Sequence, residues 1–461
     1  AETETEVDPA TIDELPTDNK DYEDYTFTIL GHFYEAGSVA WGVQDIAVDE
    51  LTGERINDAV FERNNQIADR FGVTIAKNLE TYPSDVAKKL IQSGDDAFDL
   101  LQTTVEKQAS MAVDGYLANM NDLPYVNFEK AWWDSSTMEG IRVGDKTFYA
   151  LGDSALNGKK ASWLMLFNKT LTDKAGIPNL YDTVREGKWT LDLLQTYAES
   201  IAVDVNGDGE MKWGEDVFGV GLQDESVSPL LIGTGAKLIE LNPDGTYNYR
   251  LNSEQVVNAM ERINSFMKKS NSNFVLNCNR YDGMSNQWIE FRKIFMADQM
   301  GFYILALSGV NLIAGDMQSD FGIIPVPKLN EAQDQYYSTF QYNNAHSLSV
   351  PKSAQDLTRT GLITEALQMF SHDTVLPAYY DYTLTNRNAR DTDSAEMLDL
   401  IFASRNFDIS LAYNNKTGVL SFLQTNAVAD SFDYASKEAA NRQKVEKAVD
   451  EIIEKVLHGG E

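Results

Sequence analysis

Between residues 25 and 104 the chain switches repeatedly between two hydrophobic periods, and this alternation restricts the possible fold more than any other feature. Residues 25–30 (YTFTIL) repeat every second position like a strand, and residues 62–71 place Ile67, Ala68 and Phe71 at helical spacing before Gly72. Residues 73–75 (VTI) predict the next strand. Residues 84–93 predict a helix with Val86, Ala87, Leu90 and Ile91 on one face, and residues 99–104 (DLLQTT) a short apolar strand. Strand, helix, strand, helix, strand implies a mostly parallel sheet flanked by helices. In open sheets of this kind ligands sit beyond the carboxyl ends of the strands, so residues 32–41 and 103–105 are rim candidates, Trp41 and Thr103 among them.

A second α/β unit begins near Ser162. Residues 146–151 and 162–168 predict two strands around a polar turn, and residues 191–203 a helix facing a core with Leu193, Leu194, Tyr197 and Ala198. Trp189 directly precedes that helix, whose cap is Thr190, so it reads as a packing residue. Residues 252–269 predict a helix, 320–325 and 346–351 strands each stopped by a proline, and 435–457 a charged amphipathic helix. No short repeat and no long flexible linker divides the chain, which implies two lobes joined by several crossings. The expected division is residues 25–155 with 320–370 as lobe 1 and 156–319 with 371–461 as lobe 2. Residues 1–24, acidic and poor in large hydrophobes, form a disordered tether.

With 461 residues, 43% of them hydrophobic, the chain can bury a large core. Lys plus Arg number 38 against 71 Asp plus Glu, and 38 − 71 = −33 repels phosphate backbones and anionic lipid, which excludes nucleic acid as a partner. No run approaches the roughly 18 apolar residues of a membrane helix. The single cysteine, Cys278, can form no intrachain disulfide and reads as a small buried hydrophobe.

Residues 204–215 (DVNGDGEMKWGE) fit the calcium-loop pattern D-x-[DN]-x-[DN]-G-x₅-E at every specified position. A hard cation wants six to eight oxygens, and this spacing supplies the side chains of Asp204, Asn206 and Asp208, the Glu210 carbonyl and a bidentate Glu215, with Gly209 allowing the turn. Lys212, at position nine, cannot ligate, so water or a remote group would complete the shell. The alternative is a solvated Asn/Asp/Gly turn that binds nothing. A strand rather than a second helix follows the loop, which implies structural calcium, and even a weak site would fill at extracellular calcium levels.

Catalytic patterns are missing. His32, His346, His372 and His458 are too scattered for a local zinc motif, and there is no H-E-x-x-H, G-x-S-x-G, Walker loop or strand followed by G-x-G-x-x-G. Two carboxylates suffice for a glycosidase, and 71 acids offer such a pair by composition alone, so that reading is neither excluded nor supported. The chain is expected not to be an enzyme. Stacking on a sugar ring needs exposed aromatic faces flanked by polar groups. That mixture occurs at residues 34–41, 132–134, 163, 281–282 with 288, 342–344 and 379–382, and the candidate ligand residues are Trp41, Trp163, Tyr281, Trp288, Tyr342, Asn343 and Tyr380, together with Thr103 and Tyr303. For each aromatic the alternative is an ordinary core side chain.

Several ordered segments carry a family resemblance: AWWD at 131–134, GDKTFYA at 144–150, FNK at 167–169, GKWT at 187–190, and the calcium loop followed by DVFG at 216–219. DFGIIPVPK at 320–328, PAYY at 377–380 and RDTDSAEMLD at 390–399 continue it. In this order they resemble the family 1 extracellular solute-binding proteins of ABC transporters, the long lipoprotein forms of Gram-positive bacteria. The resemblance implies a maltose-binding-protein-like pair of α/β lobes closing over a ligand, with hinge crossings near residues 151–162, 312–320 and 371–378. It also implies a monomer outside the cell, a lipid-modified cysteine upstream of Ala1, a membrane permease as partner, and a carbohydrate ligand, an oligosaccharide by class. A carbohydrate-active enzyme, a surface adhesin and a receptor for a non-sugar solute remain the alternatives.

Overall fold

The computed structural model describes residues 13–16, 22–35, 40–42, 44–280, 287–385 and 392–459. The predicted tether at 1–24 falls largely outside them.

The first lobe grows from strand β1 (Tyr25–His32), helix α1 (Arg55–Phe71), strand β2 (Val73–Glu80), helix α2 (Pro83–Ser93) and strand β3 (Leu100–Thr104). Phe27, Ile29 and Leu30 carry β1 into the core. The Glu54 side chain caps α1 by accepting from Asn57 N, and Gly72, at φ 62°, ends it in the left-handed region that a side chain resists. β1 lies parallel to β2, with Tyr25 opposite Val73, and parallel to β3.

The chain crosses over through the short helix α3 (Leu156–Lys160) into β4 (Trp163–Asn168). There follow helix α4 (Leu191–Ile201), strand β5 (Phe218–Leu222), a small hairpin of β6 (Ile239–Leu241) and β7 (Tyr247–Tyr249), and strand β8 (Val275–Asn277). Helix α5 (Gln287–Met296), strand β9 (Met300–Ala306) and strand β10 (Phe321–Ile324) complete the second sheet, in the order β10-β4-β9-β5-β8. β9, β5 and β8 are mutually parallel, whereas β4 runs antiparallel to both β9 and β10. Gly219 of β5 is obligatory because a Cβ there would lie 2.0 Å from the Ala198 carbonyl oxygen of α4. Trp189 is fully buried; its indole N–H donates to Pro325 O at 3.0 Å, and Thr190 Oγ1 accepts from Leu193 N, as the packing reading expects.

Strand β11 (His346–Ser349) returns to the first sheet, antiparallel to β3, giving the order β11-β3-β1-β2. Helices α6 (Leu357–Asp373) and α7 (Val375–Thr385) then pack along α1, α8 (Thr392–Ala403) packs on β10, and α9 (Tyr434–His458) closes the chain. One expected boundary shifts. Residues 320–324 belong to the second sheet, because Phe321 pairs with Asn168 and Ile324 with Met165, so the return crossing runs through 325–345 and not 312–320. Residues 146–151 form no strand; Ala150 makes a single bridge to Leu348.

The crossings are tied by buried charge. Arg63 of α1 donates to the carbonyls of Asp45 and Ile46 and to Ser371 Oγ, while Asp45 Oδ2 accepts from Leu156 N at 2.8 Å. Arg405 pairs with Asp134 and donates to Gly158 O at 2.7 Å. Asp153 accepts from His372 Nδ1 at 2.7 Å and pairs with Lys159 at 3.4 Å.

Candidate functional site

Strands β5, β8 and β9 end together at Leu222, Asn277 and Ala306 because they run parallel, and the residues just past their carboxyl ends line a cleft. Its volume is 740 Å³. From the second lobe come Gln223, Glu225, Cys278, Tyr303 and Ser308, with Trp288 and Arg292 projecting from α5. Ala40 and Trp41 form the first-lobe side, and Gln341, Asn343 and Asn344 come from the return crossing. An outer depression of 900 Å³ between α1 and α7 is lined by Asp58, Glu62, Asp69 and Asp373 with Arg55 and Phe61, and has no Trp or Tyr face.

Trp288 is 44% exposed and Trp41 half-buried, so both keep indole surface available. Tyr303 is packed against Phe291 and Phe295, with ring centroids 6.0 and 5.9 Å away, and burial pushes its hydroxyl pKa up. Burial also raises the Glu225 carboxyl to about 7. Among the described residues neither Glu225 nor Arg292 enters a salt bridge, which leaves a carboxylate and a guanidinium to meet a ligand. Cys278 is buried with its thiol pushed up to about 12, the inert small hydrophobe expected from the sequence.

Of the nine candidates, the structure gathers Trp41, Trp288, Tyr303 and Asn343 around this cleft. Tyr281 lies outside the described residues. Trp163, 1% exposed, pairs with Ala306 inside the second sheet, and Thr103, equally buried, faces Ser347 across the first. Tyr342 turns inward onto Phe340 and Phe407, its hydroxyl accepting from Asp408 N at 3.0 Å. Tyr380 stands edge-on to Phe402 at 5.7 Å, away from the cleft. Gln223, Glu225, Arg292 and Gln341 were not singled out from the sequence. The rim rule applied to β1 and β3 would have found the first two, since they follow the end of β5 directly.

The loop at 204–215 lies at the other end of β5. Asp204 accepts from the N–H groups of Gly207 and Gly209 at 2.7 and 2.8 Å, and Asp208 Oδ1 from Glu210 N at 2.8 Å. Asn206 Nδ2 reaches Asp208 and Glu215, so the prescribed ligand residues converge. Buried Asp216 fastens the loop by accepting from Val205 N and Lys212 N. The donor chemistry fits a hard cation, but the arrangement is not a formed cage: among the described residues no group of three or more His, Cys, Asp or Glu is placed to hold a metal. The Lys212 ammonium instead bridges Asp208 at 2.8 Å and Glu210 at 3.0 Å, and it lowers the Asp208 pKa.

No protein-family model matches the chain, and no curated protein matches it in sequence. Solved structures do. An ABC substrate-binding protein of Listeria monocytogenes in complex with cycloalternan is 14% identical, covering 94% of this chain and 99% of its own, with a TM-score of 0.54. A cyclo/maltodextrin-binding protein complexed with maltotetraose is 13% identical, covering 95% and 98%, with a TM-score of 0.57. UgpB of Mycobacterium tuberculosis, in complex with glycerophosphocholine, is 14% identical, covering 87% and 97%, with a TM-score of 0.53. Coverage of nearly the whole length on both sides extends the likeness to both lobes and their crossings. At these identities the likeness is one of architecture: the chain has the two-lobed α/β fold of ABC-transporter substrate-binding proteins.

Proposed function

We propose that the protein is an extracellular family 1 solute-binding protein that captures a carbohydrate, an oligosaccharide by class, and delivers it to an ABC permease. The observation that carries this reading is one 740 Å³ cleft walled by Trp41 of the first lobe and Trp288 of the second. Glu225, Gln223, Arg292 and Asn343 share its lining. A sugar ring offers apolar C–H faces to indole and a belt of hydroxyls to carboxylate, guanidinium and amide. A ligand touching both walls binds the closed arrangement better than the open one and shifts the population toward it, by no more than that difference in affinity. No bond is made or broken. A second reading, a ligand bearing an ammonium group, is favoured by Glu225, which enters no salt bridge among the described residues and lines the same cleft as Trp41 and Trp288.

The same reading has the protein work outside the cell as a monomer, held by a lipid-modified cysteine upstream of Ala1, with calcium at Asp204, Asn206, Asp208, Glu210 and Glu215 as a structural brace. The full spacing pattern and the turns made by Asp204 and Asp208 support the calcium. To test the ligand, the protein is incubated with a glycan panel and with glycerophosphocholine, and melting temperature and product formation are followed. A glycan that raises Tm and is recovered intact supports the receptor. Released product establishes an enzyme, and stabilisation by glycerophosphocholine alone establishes the second reading.

A further inference from the structure

The first-lobe wall of the cleft is held from the hinge. Asn157, on α3 in the first crossing and 1% exposed, donates through Nδ2 to the Trp41 carbonyl at 3.0 Å and approaches the Tyr34 hydroxyl at 3.4 Å. That hydroxyl lies 2.7 Å from His346 Nε2, at the start of β11. Two atoms of this buried set have no partner among the described residues, Asn157 Oδ1 and His346 Nδ1. Both residues line a polar cavity of 20 Å³, together with Tyr34, Asp45 and Gln102.

An unpaired buried polar atom is destabilising, and a polar cavity of roughly 10–15 Å³ or more accommodates one water. The space is too small for a sugar. The proton directions agree: Asn157 Nδ2–H donates to Tyr34 Oη, whose proton goes to His346 Nε2, so the neutral imidazole carries its hydrogen on Nδ1. Burial, with His32 and Lys160 nearby, keeps that imidazole neutral by lowering its pKa to about 3.

We propose that this cavity binds one structural water, which accepts from His346 Nδ1 and donates to Asn157 Oδ1, and that the ring so closed makes Asn157 the positioning residue for Trp41. Hinge and ligand wall are then one hydrogen-bonded unit. The inference rests on the proposed function only in treating Trp41 as a ligand wall.

The test needs no sugar, so a glycan panel without a hit leaves it readable. In the full chain labelled with 5-fluorotryptophan, the Trp41 resonance is assigned by its loss in Trp41→Phe. Asn157→Ala, and the near-isosteric Asn157→Asp in case the first fails to fold, are expected to shift or broaden that resonance while the six other tryptophans stay in place. A Trp41 resonance unchanged in a folded variant overturns the positioning role, as does a shift of all seven together. A high-resolution crystal structure is expected to show a water within hydrogen-bonding distance of both His346 Nδ1 and Asn157 Oδ1; density without one overturns the water site.

Discussion

Glu365 provides a sharp test of the packing of the first lobe. Its side chain is buried, with one carboxylate oxygen accepting from the Trp132 indole N–H and the other from that of Trp133, each at 2.8 Å, and with Asn127 N at 3.3 Å. Desolvation outweighs these donors and raises the carboxyl from its ordinary 4.5 to about 7. An acid whose pKa rises on folding binds its proton more tightly in the folded state. Its stabilising contribution is therefore complete below pH 4.5 and is lost as pH rises through 7. At about 1.36 kcal/mol per pH unit the full loss is about 3.4 kcal/mol, of which roughly 2–3 kcal/mol falls between pH 5 and 8. Glu365→Gln does not titrate, but its amide nitrogen cannot accept, so one of the two indole N–H groups loses its acceptor. Its urea unfolding free energy, followed by tryptophan fluorescence, is expected to lie about 1–3 kcal/mol below the parent at pH 5. Between pH 5 and pH 8 the difference should move in the variant's favour by roughly 2–3 kcal/mol. Starting at pH 5 keeps the measurement above the isoelectric point near 4.4. A difference between variant and parent that is flat across this range would refute the reasoning.

Four other outcomes are expected. Trp288→Ala should weaken binding of a glycan identified by thermal shift by about 1–2 kcal/mol, roughly 5–30-fold by calorimetry, with Tm unchanged because the side chain is 44% exposed. Affinity for a neutral glycan should rise from pH 6 to 8 as the Glu225 carboxyl, raised to about 7, ionises and becomes a better acceptor; in Glu225→Gln the profile should be flat. Calcium should raise Tm relative to chelator, and Glu215→Ala should abolish that difference; a parent that melts alike in both would remove the metal. Arg405→Met should cost about 3–5 kcal/mol in chemical denaturation, because it strands the buried Asp134 carboxylate.

What could be read in advance was local. Period, caps and stop signals located β1, α1, β3 and the final helix, and the position of Trp189 just before a Thr-capped helix identified it as core. Pairing between distant strands leaves no such trace. Residues 320–325 read equally well as a strand of either lobe, and only the hydrogen bonds of Phe321–Ile324 to β4 assign them. The aromatics show the same limit. Trp163 and Trp288 both meet the requirement of an aromatic face near polar groups, yet one is enclosed by β9 and the other stands on the open face of a helix. Exposure follows from which sheet position a residue occupies, and that is a property of the assembled lobe.

β5 has a consequence for how the two halves of its lobe act on each other. The loop at 204–215 joins its amino end through the bridge between Val203 and Val217, and Gln223 and Glu225 follow its carboxyl end. Five residues at about 3.3 Å each separate the two by roughly 16 Å, twice the Debye length of about 8 Å at physiological salt. The loop's charge is thus screened from the Glu225 carboxyl. A cation bound at that loop would alter how firmly the strand is anchored while leaving the electrostatic potential in the cleft, and with it the choice of ligand, as it was.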